Sequence, residues 1–436
     1  MNFRKGRILP ILIAGLIAQA CGNPPSPNGG TTKGTCTNLD FAGQPLPNVG
    51  AWSAGHNVMN ITVNDSTLPF GAVGNAYLNE PTVSVTVCAP NNPSQCQTID
   101  HILLDTGSFG LRIFKSALTV PLNPVTNGNG TLAECVQYGD GSTEWGPVEY
   151  AYVQLASEPK VGVPVMVIQS DYLNPPDVCT HNADTSPTED GYNGILGVGV
   201  FAQDCGDTCV SDSTNGVYFT CQNNNCSCGA TADLMAQVTN PISKIPTDGN
   251  GLVMKLPSVA AGGVVTVTGN YLFLGIDTQG AGGNNSSSGK TAYVLDGSGQ
   301  FLSEFDPYSN NQIASFIDSG SSVLFFPPPL SAPFLPDCGS TNPGFAGLYC
   351  PTGTPVPFHA NNFDANGNHS NLVNFSIENA VLLIENSNVA STVGATSLGG
   401  GDPTFDWGLP FFFGKNVFVG FENQSSSIGT GPYWAY

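Results

Sequence analysis

Two acids stand in surroundings that suit chemistry. Each ends an apolar run and opens a hydroxyl-glycine-hydroxyl step: Leu103-Leu104-Asp105-Thr106-Gly107-Ser108 and Phe316-Ile317-Asp318-Ser319-Gly320-Ser321. Apolar residues then resume, Leu111 to Phe114 after the first and Val323 to Phe326 after the second. Burying an unpaired charge is costly, so an acid carried inward needs a partner. Two carboxylates held in contact cannot both ionise easily; they share a proton, and one pKa rises while the other stays low. The ionised member can take a proton from a trapped water, and the protonated member can polarise a carbonyl. Water attack on an amide follows without a covalent intermediate, a metal or a cofactor. Gly107 and Gly320 permit a tight turn and let backbone N–H groups approach the acids. Ser108 and Ser321 are expected to donate to the outer carboxylate oxygens. Thr106 and Ser319 are expected to hydrogen-bond across and lock the two loops together. One such step arises easily by chance; two in matching apolar frames do not. The competing reading is a pair of structural turn acids.

The elements that must position these acids are strands. Only 10% of the 436 residues are charged, and Gly 53 with Pro 34 gives a high turn content. Short runs rich in Val, Ile, Thr, Phe and Tyr, broken by Gly, Asn, Pro and Ser, argue for all-β structure. The length suffices for two or three domains. Residues 239–251 (TNPISKIPTDGNG) mix Pro, Asn and Gly between richer runs. They divide a first half, 45–245, from a second, 246–436.

The N-terminus reads as a targeting segment. Arg4, Lys5 and Arg7 precede an apolar run, Ile8 to Ala18, that is short for a membrane span. Residues 1–20 are expected to be a signal peptide. Ala18-Gln19-Ala20-Cys21 resembles the lipobox of bacterial lipoproteins, which implies lipidation of Cys21; plain secretion, with Cys21 in a disulfide, is the alternative. Residues 21–44 then form a polar Pro/Gly tether. The formal charge is −21, and losing residues 1–20 removes three cations and makes it more negative. With no basic patch, nucleic acid is excluded as a partner. Thirteen cysteines are present; with Cys21 lipidated, the rest could form up to six disulfides. Cys88 with Cys96 and Cys338 with Cys350 could staple short loops. Cys205, Cys209, Cys221, Cys226 and Cys228 crowd one segment, as a zinc cluster or, with export favouring oxidation, a disulfide-pinned loop.

With these residues in view, the chain resembles the pepsin-like aspartic proteases, as an exported bacterial branch. The resemblance implies a bilobal pepsin-like acid protease fold, two β-barrel-like lobes each giving one aspartate to the cleft between them. It spans about Tyr77 to Asn423. Gln137-Tyr138-Gly139-Asp140-Gly141-Ser142 resembles the flap hairpin, in which Tyr138 would close over substrate. Asn193-Gly194-Ile195-Leu196-Gly197 resembles the stretch that packs behind the first aspartate loop, and Trp407 to Asn423 the closing strands of the second lobe. The resemblance implies an aspartic endopeptidase with Asp105 and Asp318 catalytic. Its substrate would be an extended peptide lying as a strand under the flap. A monomer is expected, needing neither cofactor nor metal, exported and lipid-anchored through Cys21 to the cell envelope. Two departures stand out. Arg112 occupies the place of a tryptophan that would bond the flap tyrosine, and Pro410 the place of a glycine behind Asp318. Both favour the alternative of a catalytically silent binding protein. A serine hydrolase finds no support: there is no Gly-x-Ser-x-Gly elbow, and His56, His101, His181, His359 and His369 lack a triad context.

Overall fold

The structure is a computed structural model that describes residues 55–64, 78–128, 130–227, 229–280, 282–308, 311–397 and 403–436. The expected signal peptide, tether and lipidated Cys21 lie outside the described residues, as do Cys36 and Cys228. The chain is all-β. Among the described residues, α-helix is confined to Pro187–Asp190, Asp207–Ser211 and Ala380–Asn386.

Two sheets hold the aspartate loops. A 12-stranded sheet contains β1 (Asn92–Asp105), β2 (Phe109–Phe114), β3 (Gly130–Gln137), β4 (Thr143–Gln154), β5 (Val161–Ile168) and β6 (Gly194–Val198). A seven-stranded sheet contains β7 (Gln312–Ile317), β8 (Leu324–Phe326), β9 (Gly394–Thr396) and β10 (Thr404–Trp407). The same wiring occurs in both. β1 runs parallel to β6, β6 antiparallel to β2, and β2 parallel to β5. Likewise β7 runs parallel to β10, β10 antiparallel to β8, and β8 parallel to β9. The repeated motif in the sequence is thus the visible part of a repeated strand arrangement. β6 is buried at every position, which explains its unbroken apolar reading, since a strand covered on both faces does not alternate.

A six-stranded sheet joins distant parts of the chain in the order Val58–Asn60, Tyr271–Leu274, Gly251–Leu256, Lys415–Gly420, Tyr433–Ala435, Tyr293–Val294. Its first strand thus comes from the first half of the chain. One apolar cluster runs through all three sheets, from Val85, Leu104 and Val165 to Ile317, Phe405 and Val417. Behind the second aspartate loop, Phe405 stacks on Trp407 at 4.0 Å between ring centroids and on Phe326 at 5.3 Å. Trp407 Nε1 donates to Ser303 Oγ at 3.2 Å, so the indole keeps its polar partner when buried.

Five disulfides are present among the described residues: Cys88–Cys96, Cys135–Cys179, Cys205–Cys209, Cys221–Cys226 and Cys338–Cys350. Pairing of four cysteines in the crowded segment favours the pinned loop over a zinc cluster. The disulfides are consistent with export to an oxidising compartment. No described helix is long and apolar enough to cross a membrane.

Candidate active site

β1 carries Ile102, Leu103 and Leu104 fully inside and delivers Asp105 at its end, where Asp105 pairs with Gly197 of β6. β7 delivers Asp318, whose N–H donates to Trp407 O at 3.1 Å. The two loops then interlock. Thr106 N donates to Ser319 Oγ at 3.0 Å, and that hydroxyl donates to Leu104 O at 2.6 Å. Ser319 N donates to Thr106 Oγ1 at 2.9 Å, and that hydroxyl donates to Ile317 O at 3.0 Å. Each hydroxyl takes the other loop's N–H and passes its own hydrogen to the other strand's carbonyl. Thr106→Val would leave Ser319 N and Ile317 O buried without these partners, a loss of about 2–4 kcal/mol of stability. Denaturant unfolding checks this, and a loss below about 0.5 kcal/mol would contradict the interlock.

The glycines bring the acids together. A Cβ on Gly107 would lie 2.5 Å from Asp318 Cγ, and one on Gly320 would lie 2.7 Å from Asp105 Oδ1. Each glycine therefore lets the opposite carboxylate approach its backbone. Gly107 N donates to Asp105 Oδ1 at 2.8 Å, and Gly320 N to Asp318 Oδ1 at 2.8 Å. Ser321 Oγ lies 2.8 Å from Asp318 Oδ2, as expected. Ser108 departs from expectation: its hydroxyl and Asp105 Oδ2 are both buried with no hydrogen-bond partner. The pair is therefore asymmetric: loop donors reach both oxygens of Asp318 but only Oδ1 of Asp105, whose carboxyl also bonds to that of Asp318. Burial, with the charges of Asp105 and Asp406, holds the Asp318 carboxyl well above the usual carboxylate range.

A third acid completes the cluster. Ser321 Oγ also lies 2.7 Å from Asp406 Oδ2. One hydroxyl has one hydrogen, so it donates to one carboxyl and must accept from the other. At least one of Asp318 and Asp406 is therefore protonated while both contacts stand. Burial pushes Asp406 well up too. The register shows why the sequence did not reveal this acid. Phe316 pairs with Asp406 and Ile317 with Trp407, as Leu103 pairs with Ile195 and Leu104 with Leu196. The counterpart of Gly197 is therefore Gly408, not Pro410, and Asp406 fills the place of Ile195. This corrects the expected glycine loss: a Cβ on Gly408 would lie 2.0 Å from Val323 O, so the close approach is kept. Matching Trp407-Gly408 rather than Leu409-Pro410 to the first motif would have exposed Asp406.

The expected flap is a hairpin of β3 and β4, closed by Tyr138 N donating to Ser142 O at 2.9 Å and Gly141 N to Tyr138 O at 2.9 Å. Gly139 and Asp140 lie in the turn, where Asp140 Oδ1 accepts from Ser142 N at 2.8 Å. Tyr138 is buried, and its hydroxyl donates to Glu144 Oε2 at 2.9 Å. Arg112 holds the far side of this link. Its Nε lies 3.9 Å from Glu144 Oε2, and its Nη2 lies 2.5 Å from Glu134 Oε1 and 3.5 Å from Asp204 Oδ2. Tyr138 is tied to Arg112 through the Glu144 carboxyl. Burial raises Glu144 to about 8 against the opposing pull of Arg112, and burial with Glu134 raises Asp204. Glu134, Glu144 and Asp204 carried no signal in the sequence, because each is scattered and acquires a role only through the hairpin fold. A cavity of about 580 Å³ is bounded by Thr106, Gly107, Phe109, Tyr138, Phe316 and Ile317 among others, between the hairpin and the aspartate loops. A second hollow, about 730 Å³, lies against Tyr150, Leu234 and Met235 and includes no residue of either loop.

A family model described as protein of unknown function (DUF3443) matches residues 53–436. The chain belongs to this family. Its match includes both aspartate loops, the hairpin and all three large sheets. No protein with a curated description matches the chain.

Proposed function

We propose that this DUF3443 chain is an aspartic endopeptidase of pepsin-like, bilobal fold, in which Asp105 and Asp318 activate one water between them. The observation that carries this is the reciprocal Thr106–Ser319 interlock, which aims two buried carboxylates at each other from loops of matching wiring. Two turn acids with merely local roles would need no such cross-loop lock. Asp318, held protonated by burial, donates to the scissile carbonyl. Asp105, whose Oδ2 receives no loop donor, takes the proton of the attacking water. As the tetrahedral intermediate collapses, a proton passes to the leaving nitrogen and the dyad regains its shared-proton state. Tyr138, Gly139, Asp140 and Gly141 form the lid over an extended peptide. A lipid on Cys21 and the tether beyond it would hold the enzyme at the outer face of a membrane in the cell envelope.

One observation favours a second reading. Asp105 and Asp318 are both 0% exposed, so peptide reaches them only if the hairpin lifts. A chain whose hairpin stays down would bind a partner at its surface and cut nothing. Incubation with an unstructured protein from about pH 3 to pH 7, with products read by mass spectrometry, separates the two. Cleavage that is fastest in acid and lost in Asp105→Asn supports the endopeptidase. A folded protein that leaves every chain intact supports the silent reading.

A further inference from the structure

Away from the dyad, His56, Glu158 and Asp248 converge from three separate segments. His56 lies two residues before the strand Val58–Asn60 of the six-stranded sheet, Glu158 follows β4, and Asp248 precedes Gly251–Leu256. Their ligand atoms all lie within 4.8 Å of one another. His56 Nε2 is 3.1 Å from Asp248 Oδ2 and 3.4 Å from Glu158 Oε1. All three residues are buried, Glu158 at 1% exposure and Asp248 at 0%. The backbone fixes the histidine, since Ser157 N donates to His56 O at 3.0 Å and Leu274 N to Asn57 O at 2.8 Å.

Hydrogen bonding alone leaves this cluster poorly served. One imidazole nitrogen faces two carboxylates, yet it carries at most one hydrogen. Asp248 also receives the Gln279 amide at 3.0 Å on each oxygen. The Glu158 carboxyl meets the Asp248 carboxyl, but no N–H among the described residues donates to either of its oxygens. Two buried carboxylates this close cannot both ionise without a counter-charge, and burial penalises the ionised forms heavily. A divalent cation removes both charges at once and uses one nitrogen and two oxygen donors from three directions. We propose that His56, Glu158 and Asp248 bind a divalent transition-metal ion of the zinc class. The mixed imidazole and carboxylate donors suit zinc better than calcium or magnesium, which prefer oxygen alone. The Gln279 amide, turned by half a rotation, presents its oxygen as a fourth donor; the two ends of an amide are assigned from their bonding partners. An ion here pins the segment around His56 to β4 and to the start of the second half of the chain, so binding stabilises the fold rather than serving the dyad.

The test uses the full chain, stripped with a chelator, desalted and titrated with zinc chloride by calorimetry at neutral pH. The expected result is one ion per chain, with a zinc-dependent rise in melting temperature. His56→Gln and Glu158→Gln, chosen to keep size and hydrogen bonding, should each weaken binding at least about tenfold and abolish that rise. Calcium chloride should give no saturable binding. Absence of saturable zinc uptake by the wild type would overturn the proposal and leave a proton-linked ion cluster. Uptake that both folded variants retain unchanged would equally overturn it, by placing the ion elsewhere. If neither variant folds, metal analysis of the chelator-free wild type decides: about one ion per chain that survives desalting supports the site, and none overturns it.

Discussion

Asp318→Asn should lose about 1000-fold or more in kcat/KM while gaining stability at neutral pH. The two effects share one cause. The introduced asparagine can still accept from Gly320 N with its oxygen, and its amide nitrogen can donate to Ser321 Oγ where the carboxyl had accepted, so the loop geometry survives. It cannot hold and release the dyad proton, so the chemical step fails. In the wild type, burial lifts the folded Asp318 pKa above its unfolded value. Its contribution to stability is therefore fully present in acid and is lost as pH rises through the folded pKa. Asparagine has no charge to desolvate, so the variant escapes that loss. Thermal melts should nearly coincide near pH 4 and separate at neutral pH, with the variant higher by about 2 °C or more. Undiminished cleavage, or a variant that melts lower at neutral pH, would contradict the assignment.

Arg112→Met is expected to cost about 3–5 kcal/mol at neutral pH, because it strips a buried cation from several buried acids. Glu134 loses its 2.5 Å partner, and Asp204 and Glu144 lose the charge that opposes their upward shifts. Native Glu144, raised from 4.5 to about 8, holds a proton that the unfolded chain has released across that window. Native Asp204 behaves alike above 3.8. More protons on the native state mean that stability falls as pH rises. Removing Arg112 lifts both pKa values further and steepens the fall. Acid should therefore rescue the variant: denaturant unfolding near pH 4 should show a much smaller deficit than at pH 8. Equal deficits at both would mean that Arg112 acts through packing alone. Because Tyr138 donates to Glu144, the variant should also loosen the hairpin turn.

The paired motifs were legible because each places an apolar strand, an acid and a hydroxyl-glycine-hydroxyl step within a few residues of sequence. Local pattern was enough there, and the Thr106–Ser319 exchange followed from residue types alone. The all-β class was legible for the same reason, through period-two runs such as Val83, Val85 and Val87, buried on one face. Register was not. Gly408 and Pro410 stand two residues apart in an apolar run, and only pairing with Ile317 decides which meets the loop. Asp406 was hidden by the same ambiguity. The Arg112 network and the His56 cluster unite side chains far apart in sequence. A lone histidine near the start and single acids in later turns give no hint of meeting. Ser108 shows the converse: its type promised a hydrogen bond that the backbone path does not deliver.

Binding of a statine-type peptide analogue bears most directly on the dyad, because its tetrahedral hydroxyl imitates the attacked carbon between two carboxyls. Calorimetry near pH 4 should give one site per chain, at least about 100-fold tighter than for the same peptide lacking the hydroxyl. Asp105→Asn should erase that advantage, and raising the pH to neutral should weaken binding as the shared proton is lost. Equal affinity for the two peptides, unchanged in the variant, would show that Asp105 and Asp318 do not work as a catalytic pair.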